Sequence, residues 1–274
     1  MNLDAGEARR LLKWLADAGA DEALVEAPVD RYATAKTVLS DQRPAERIVE
    51  SVRVATAAPL PLRQVPAQPI TAAAASAREI AAGCNSLEEL RAALERFDGC
   101  ALKTTAKSLV FAAGPAEAPV MLIGEGPGRE EDLEGLPFVG RSGQLLDRML
   151  EAIGLSRQTN AYITNVIFWR PPGNRPPTAE EVATCAPFLL RHIELKAPRV
   201  IVLLGATPLK HVLNVEEGIT RARGRWGRYM ASGNEIPALP MFHPAYLLRT
   251  PGAKRQAWQD LLNLKLKLRE MGVG

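Results

Sequence analysis

Cysteine is scarce in this chain: three occur among 274 residues, at positions 84, 100 and 185. Three well-separated thiols are too few for a disulfide framework and fit a reducing, cytoplasmic setting. No run of about 18 apolar residues is present, so no membrane-spanning helix is expected. The opening MNLDAGEARR leads into no apolar stretch of the kind a secretory signal needs. Aspartate is missing from the whole stretch 156–256, which carries 14 Lys and Arg against 6 Glu, although the net charge of the chain is only +3. A basic half facing a polyanion is the electrostatic footprint of nucleic-acid binding, and a scattered, solvated basic surface is the plainer alternative.

Apolar residues make up 47% of the chain, enough for a real core. Residues 3–24 have helical periodicity through Leu11, Leu12, Trp14, Leu15, Ala18 and Leu24. The run 55–77 is dominated by Ala and Pro and lacks the large side chains that offset ordering entropy, so it reads as a linker. The expected organisation is an N-terminal helical extension over 1–54, a linker over 55–79 and a globular domain over 80–274. Within that domain, Ser86 with Glu89 and Thr178 with Glu181 have capping-box spacing and open helices. Pro187 is expected to kink the second of these. Further helices are expected over 145–153, 208–213 and 255–271. Short apolar runs over 119–124, 161–168, 199–204 and 236–242 read as buried strands. Strands alternating with helices predict a three-layer α/β/α fold around a mainly parallel four-stranded sheet. Ligands of such folds bind at the carboxyl ends of the strands.

The unusual residues fall at those ends. Gly124-Glu125-Gly126-Pro127-Gly128 follows the first strand, and Gly135-Leu136-Pro137-Phe138-Val139-Gly140-Arg141 lies just beyond it. Thr164-Asn165 lies in the second strand, with Arg170-Pro171-Pro172-Gly173-Asn174-Arg175 behind it. His243-Pro244-Ala245-Tyr246-Leu247-Leu248-Arg249 follows the fourth. Phe138, on a loop between proline and glycine and not on an apolar stripe, is a candidate aromatic pocket face, with an ordinary core phenylalanine as the plainer alternative. Asn165 offers an acceptor and donors together, either to a ligand or as a cap for local backbone. Of the three histidines, His192 and His211 fall within helical patterns and read as structural or surface residues. The glycine loop brings backbone N–H groups close to whatever binds there, although any strand-to-helix turn uses such glycines.

The four motifs, in this order and spacing, resemble the iron–sulfur ("family 4") type of the uracil-DNA glycosylase superfamily, over roughly residues 100–271. The resemblance implies extrusion of uracil from DNA into a pocket and hydrolysis of its N-glycosidic bond. It implies His243 as the catalytic donor to uracil O2 and Phe138, Asn165 and Gly126 as uracil-binding residues. Glu131 would sit at C5 and exclude the thymine methyl group. Better-known members carry a water-positioning aspartate where Gly126 stands, so water activation passes to Glu125 as the nearest candidate. Pro127, Ser142, Arg170, Arg175 and Arg249 would hold DNA. Leu247 and Leu248 would wedge into the gap left by the flipped base. Arg223, with Arg221, Arg225 and Arg228, reads as a phosphate-contacting surface, or as a basic hairpin with no partner. Uracil-containing DNA is the expected partner of a monomer associated with the nucleoid, and the N-terminal helix is a candidate tether to another protein. Two other readings stay open: a binder of uracil-containing or damaged DNA without turnover, and a glycosylase for another deaminated base.

Family 4 holds a four-iron cluster with four cysteine thiolates. Cys100 and Cys185 match two of those positions, while Lys103 and Trp169 occupy the others. On that count no cluster and no other cofactor is expected, and Cys100 and Cys185 read as remnants, with Trp169 packing where the cluster would sit.

Overall fold

The computed structural model describes residues 71–273. The expectations for residues 1–54, and for most of the linker, lie outside the described residues. The last part of the expected linker is a helix instead: α1, Ala72–Ala82, is capped at Thr71, whose hydroxyl accepts from the Ala74 N–H at 3.2 Å. Alanine is the best helix former, and the small side chains of Ala74, Ala77 and Ala81 are buried in a close approach to a neighbouring helix. The same composition that reads as a linker therefore serves a tightly packed helix.

From there the chain runs through α2 (Leu87–Arg96), β1 (Val120–Gly124), α3 (Arg129–Glu134), α4 (Arg141–Glu151), β2 (Ala161–Asn165) and α5 (Ala179–Lys196). It continues through β3 (Val200–Leu204), α6 (Ala206–Leu213), α7 (Ile219–Ala222), β4 (Gly227–Ala231), β5 (Asn234–Met241), α8 (Pro244–Arg249) and α9 (Lys254–Glu270). Helix α5 is the partner of α1, and it passes uninterrupted through Pro187 to an αL cap at Ala197. Among the described residues no helix is long and apolar enough to cross a membrane.

The sheet has five strands in the order β2-β1-β3-β5-β4, one more than expected. The first four pair in parallel and β4 pairs antiparallel with β5. The added strand, GRYMA, alternates buried and exposed residues, as an edge strand with one covered face should. Successive residues of the inner strands point to opposite faces. In β1, Met121 and Ile123 join a core beneath α1, α2, α5 and α6, while Val120 and Leu122 join a second core beneath α4, α8 and α9. The three layers follow from that alternation.

His192 lies in the first core, fully buried, with its Nε2 2.8 Å from the Tyr162 hydroxyl and its ring stacked on Phe111. It is a structural histidine, as its helical position implies. Register then sets up the site. Gly124 pairs with Asn165 at the ends of β1 and β2, and Leu204 pairs with Met241 at the ends of β3 and β5. The Gly205 N–H donates to the Met241 carbonyl at 2.9 Å, which draws His243 against the end of β3.

Candidate active site

A cavity of about 410 Å³ opens at this carboxyl edge. Its wall includes Glu125, Gly126, Pro127, Glu131, Phe138, Ser142, Arg175, His243, Leu248 and Arg249. Four segments distant in sequence thus meet at one place.

Phe138 is held in an uncommon backbone state, with φ of +55°. For a bulky side chain the left-handed region costs on the order of 1–3 kcal/mol, and it persists only where the surroundings enforce it. The result is a ring whose centroid lies 5.4 Å from that of His243, tilted by 31°. The same ring and the Asn165 amide flank Gly124: a Cβ built there would lie 2.5 Å from both Phe138 Cζ and Asn165 Oδ1. Glycine is required at 124 by space alone, since its φ is unremarkable. Asn165 is buried, and among the described residues neither its Oδ1 nor its Nδ2 has a hydrogen-bond partner. An amide left unpaired in a protein interior costs about 1–3 kcal/mol, so both of its polar atoms are open to a partner.

His243 caps α8: its Nδ1 accepts from the Ala245 N–H at 3.1 Å. That bond fixes the tautomer, because an accepting Nδ1 leaves the ring proton on Nε2. Burial, and then the nearby Arg249 charge, push the imidazole pKa down to about 4. The ring is therefore a neutral N–H donor at physiological pH. Glu125 accepts from the Thr207 hydroxyl and borders both this cavity and a second one of about 530 Å³ beside it. Gly126 faces Ile167: a Cβ at 126 would meet Ile167 Cγ1 at 2.6 Å.

Several assignments are corrected by the structure. Glu131 reaches the cavity wall, but its carboxylate is taken up by three backbone N–H groups, those of Gly128, Val139 and Gly140, each at 3.0 Å. From within the cavity wall it braces the loops that form the pocket, a role the sequence did not suggest. Leu247 is 1% exposed and packs in the core under α4 and α9, so it is no wedge. Leu248, next in sequence, points to the cavity, since neighbouring residues of a helix face different ways. Arg223 forks onto Asp260, its Nε 2.8 Å from Oδ2, and also donates to the Gln256 carbonyl. Its guanidinium is spent on the fold and is not offered to phosphate. Arg225 with Glu217 and Arg228 with Glu235 form ion pairs as well, so the basic run is largely neutralised from within. Because Asp260 is 2% exposed in its side chain, Arg223→Ala strands a buried carboxylate. We expect it to lower unfolding free energy by about 3 kcal/mol, read from urea melts, with DNA affinity essentially unchanged. Arg170 lies off the cavity wall and donates to Asn174 Oδ1 at 2.6 Å, and Arg175 pairs with Glu181. Asn174 and Ile167 line the cavity and went unassigned in the sequence reading, as did Thr207 behind Glu125. Asn174 sits inside the quoted proline-rich motif, which was a usable signal. Nothing in the sequence marks Ile167 or Thr207.

Phe138 and His243 line the cavity, while the unpaired Asn165 amide lies beside Gly124 at the same sheet edge and is not among the lining residues; a ring, an amide and a neutral imidazole so gathered suit a planar, hydrogen-bonding ligand. A family model described as Uracil DNA glycosylase superfamily matches residues 111–267. A type-4 uracil-DNA glycosylase of Archaeoglobus fulgidus is 37% identical over 179 residues, covering 64% of this chain and 89% of that protein. Another type-4 uracil-DNA glycosylase, from Thermotoga maritima, is 38% identical over 182 residues, covering 65% and 93%. A type-5 uracil-DNA glycosylase of Pyrobaculum aerophilum is 33% identical over 149 residues, covering 49% and 64%. The chain belongs to the uracil-DNA glycosylase superfamily, on its type-4 branch.

That kinship corrects the expectation of a chain without a cofactor: the type-4 branch is the iron–sulfur branch, so a cofactor is positively suggested. The donor set in the structure is narrower than the branch implies. Cys100 and Cys185 are buried, and their mutual interaction pushes the Cys100 thiol pKa down and the Cys185 thiol pKa up. Lys103 at the second position binds Asp98 at 2.6 Å and the Glu95 carbonyl at 2.7 Å, and Trp169 at the third lies in the core, edge-on to Phe168. Among the described residues no three His, Cys, Asp or Glu side chains converge as ligands. These residues do not fit a site of four thiolates.

Proposed function

We propose that the chain removes uracil from DNA by hydrolysing its N-glycosidic bond and leaves an abasic site. The observation that carries this is the buried, unpaired Asn165 amide beside a strained Phe138 and a His243 whose Nδ1 is taken by the Ala245 N–H, leaving Nε2–H to donate. A pyrimidine extruded from the stack lies against the Phe138 ring. The Asn165 amide pairs with its N–H and carbonyl, recovering the desolvation cost of both partners. As the bond from N1 to C1′ breaks, electrons collect on the base and the sugar becomes cation-like. The His243 Nε2–H faces the uracil O2 and takes up that charge through a hydrogen bond that strengthens in the transition state. Water adds at C1′ and its proton leaves toward Glu125, the carboxylate held by Thr207. Leu248 and Arg249, on the cavity rim, fill the vacated stack and hold a phosphate. Pro127 and Ser142 support the strand at the opposite wall, with Arg175 beside them. The enzyme acts as a monomer in base excision repair.

The test uses oligonucleotides bearing one uracil, hypoxanthine or xanthine, in single and double strands, with the His243→Ala variant as control. Uracil release with many turnovers per enzyme is expected. Stoichiometric capture without release, or a preference above tenfold for another base, overturns the proposal.

A further inference from the structure

The loop 137–140 is gripped by two side chains of opposite charge. From one side, Arg157 donates through Nη1 to the Pro137 carbonyl at 2.9 Å and through Nη2 to the Phe138 carbonyl at 2.7 Å. Its Nε binds Asp147 of α4 at 2.7 Å, so every edge of the guanidinium is engaged. From the other side the Glu131 carboxylate holds the Val139 and Gly140 N–H groups. Between these anchors sits Phe138 with its positive φ. Helix α4 closes the third side: a Cβ at Gly143 would lie 1.8 Å from the Phe138 carbonyl oxygen. The loop is therefore determined from three directions, and among the described residues only Arg157 joins it to α4 by way of a charged pair. None of the sequence motifs includes this arginine.

We infer that Arg157 is a positioning residue for base excision: tied to Asp147, it fixes the Phe138 backbone in the state that carries the ring to His243. The inference rests on Phe138 being the stacking face for the base. Arginine is required for its geometry as much as its charge. A planar fork reaches two successive carbonyls and a carboxylate at once, which a lysine ammonium on a flexible stem does not reproduce. Without the fork the loop relaxes toward ordinary backbone angles and the ring leaves its place. Displacements of about 1 Å in such positioning groups cost roughly 100-fold in rate.

The experiment compares Arg157→Ala, Arg157→Lys, Phe138→Ala and the double variant Arg157→Ala/Phe138→Ala in the full chain. Both the saturating single-turnover rate of uracil release and KM for uracil-containing DNA are measured. Arg157→Ala is expected to lower the saturating rate about 30-fold, with KM within about 3-fold because DNA affinity comes from phosphate contacts elsewhere. Arg157→Lys should recover little of the rate. In the Phe138→Ala background the loss of Arg157 should add less than about 3-fold, since it acts through a ring no longer present. Multiplying effects, or a near-normal rate for Arg157→Ala, overturn the inference. If Arg157→Ala does not fold, Asp147→Asn loosens the same fork, and the same non-additivity with Phe138→Ala decides. If Phe138→Ala alone leaves uracil release unchanged, the stacking reading fails, an outcome distinct from additivity.

Discussion

Single-turnover release of uracil is expected to fall about a thousandfold when His243 is replaced by alanine. The size follows from what the ring does. Removing one preorganised donor from a site where negative charge develops costs on the order of 100- to 1000-fold in other enzymes. Here the donor is the only imidazole at the cavity, and its tautomer is fixed by the Ala245 N–H. Alanine also removes the cap of α8, which costs about 1 kcal/mol. His243→Asn is the control for that loss, because an asparagine oxygen still caps the helix while its amide falls short of the base. Both variants should lose the activity, and only the first should melt earlier. The pH profile carries an independent check. A free histidine titrates near 6.5, whereas His243 is held down to about 4 by burial and by Arg249. The neutral ring is thus the form present from about pH 5 upward, and it is lost as pH falls through the folded pKa. The His243-dependent part of the rate should be flat between about pH 5.5 and 8 and should decline only near pH 4. An acid limb at 6.5 that disappears in the His243 variants would refute the neutral-donor reading.

Replacing Asn165 with alanine should lower the rate of uracil release about 100-fold and leave the protein no less stable. The two halves of that expectation have one origin. In the free protein neither amide atom is paired, so truncation removes a desolvated polar group as well as some packing. These terms oppose each other at about 1–3 kcal/mol each. With uracil bound, the amide contributes two hydrogen bonds, together about 3 kcal/mol, which is roughly a hundredfold in rate. The measurements are a urea melt and the single-turnover assay on the same sample. A drop of more than about 1 kcal/mol in stability would mean that the amide is satisfied in the native state, and would remove the observation on which the proposed function stands.

The parallel strands and the glycine loops were legible in the sequence because continuous apolar runs and clustered glycines are local signals. Phe138, Asn165 and His243 could be named as candidates because Asn165 and His243 stand in motifs at strand ends and Phe138 stands in a motif loop between two short helices. What was misread depended on phase or on distance. Leu247 and Leu248 are the same residue type side by side, and only the helix of α8 decides which one turns inward. Arg223 finds its partner in Asp260, far along the chain on α9, so an arginine-rich run looked like a surface for phosphate. Strand β4 was hidden for the same reason: its exposed positions, Arg228 and Met230, masked an alternation that the sheet makes plain. Helix α1 was missed because alanine fits both a flexible tether and a close helix contact, and packing alone separates them.

The contact between Gly126 and Ile167 bears on how the branches of this superfamily are connected. Where other members place an aspartate, this chain has room for no side chain at all until the isoleucine withdraws. Converting one lineage into the other by single steps therefore passes through a crowded intermediate if the carboxylate arrives first, and through a hollow one if the isoleucine shrinks first. The second route is the gentler, since trimming a methyl group costs about 1 kcal/mol while overpacking costs up to about 3. Ancestral states between the branches should accordingly carry a small residue at 167 before any acid appears at 126, an order that reconstructed sequences can contradict.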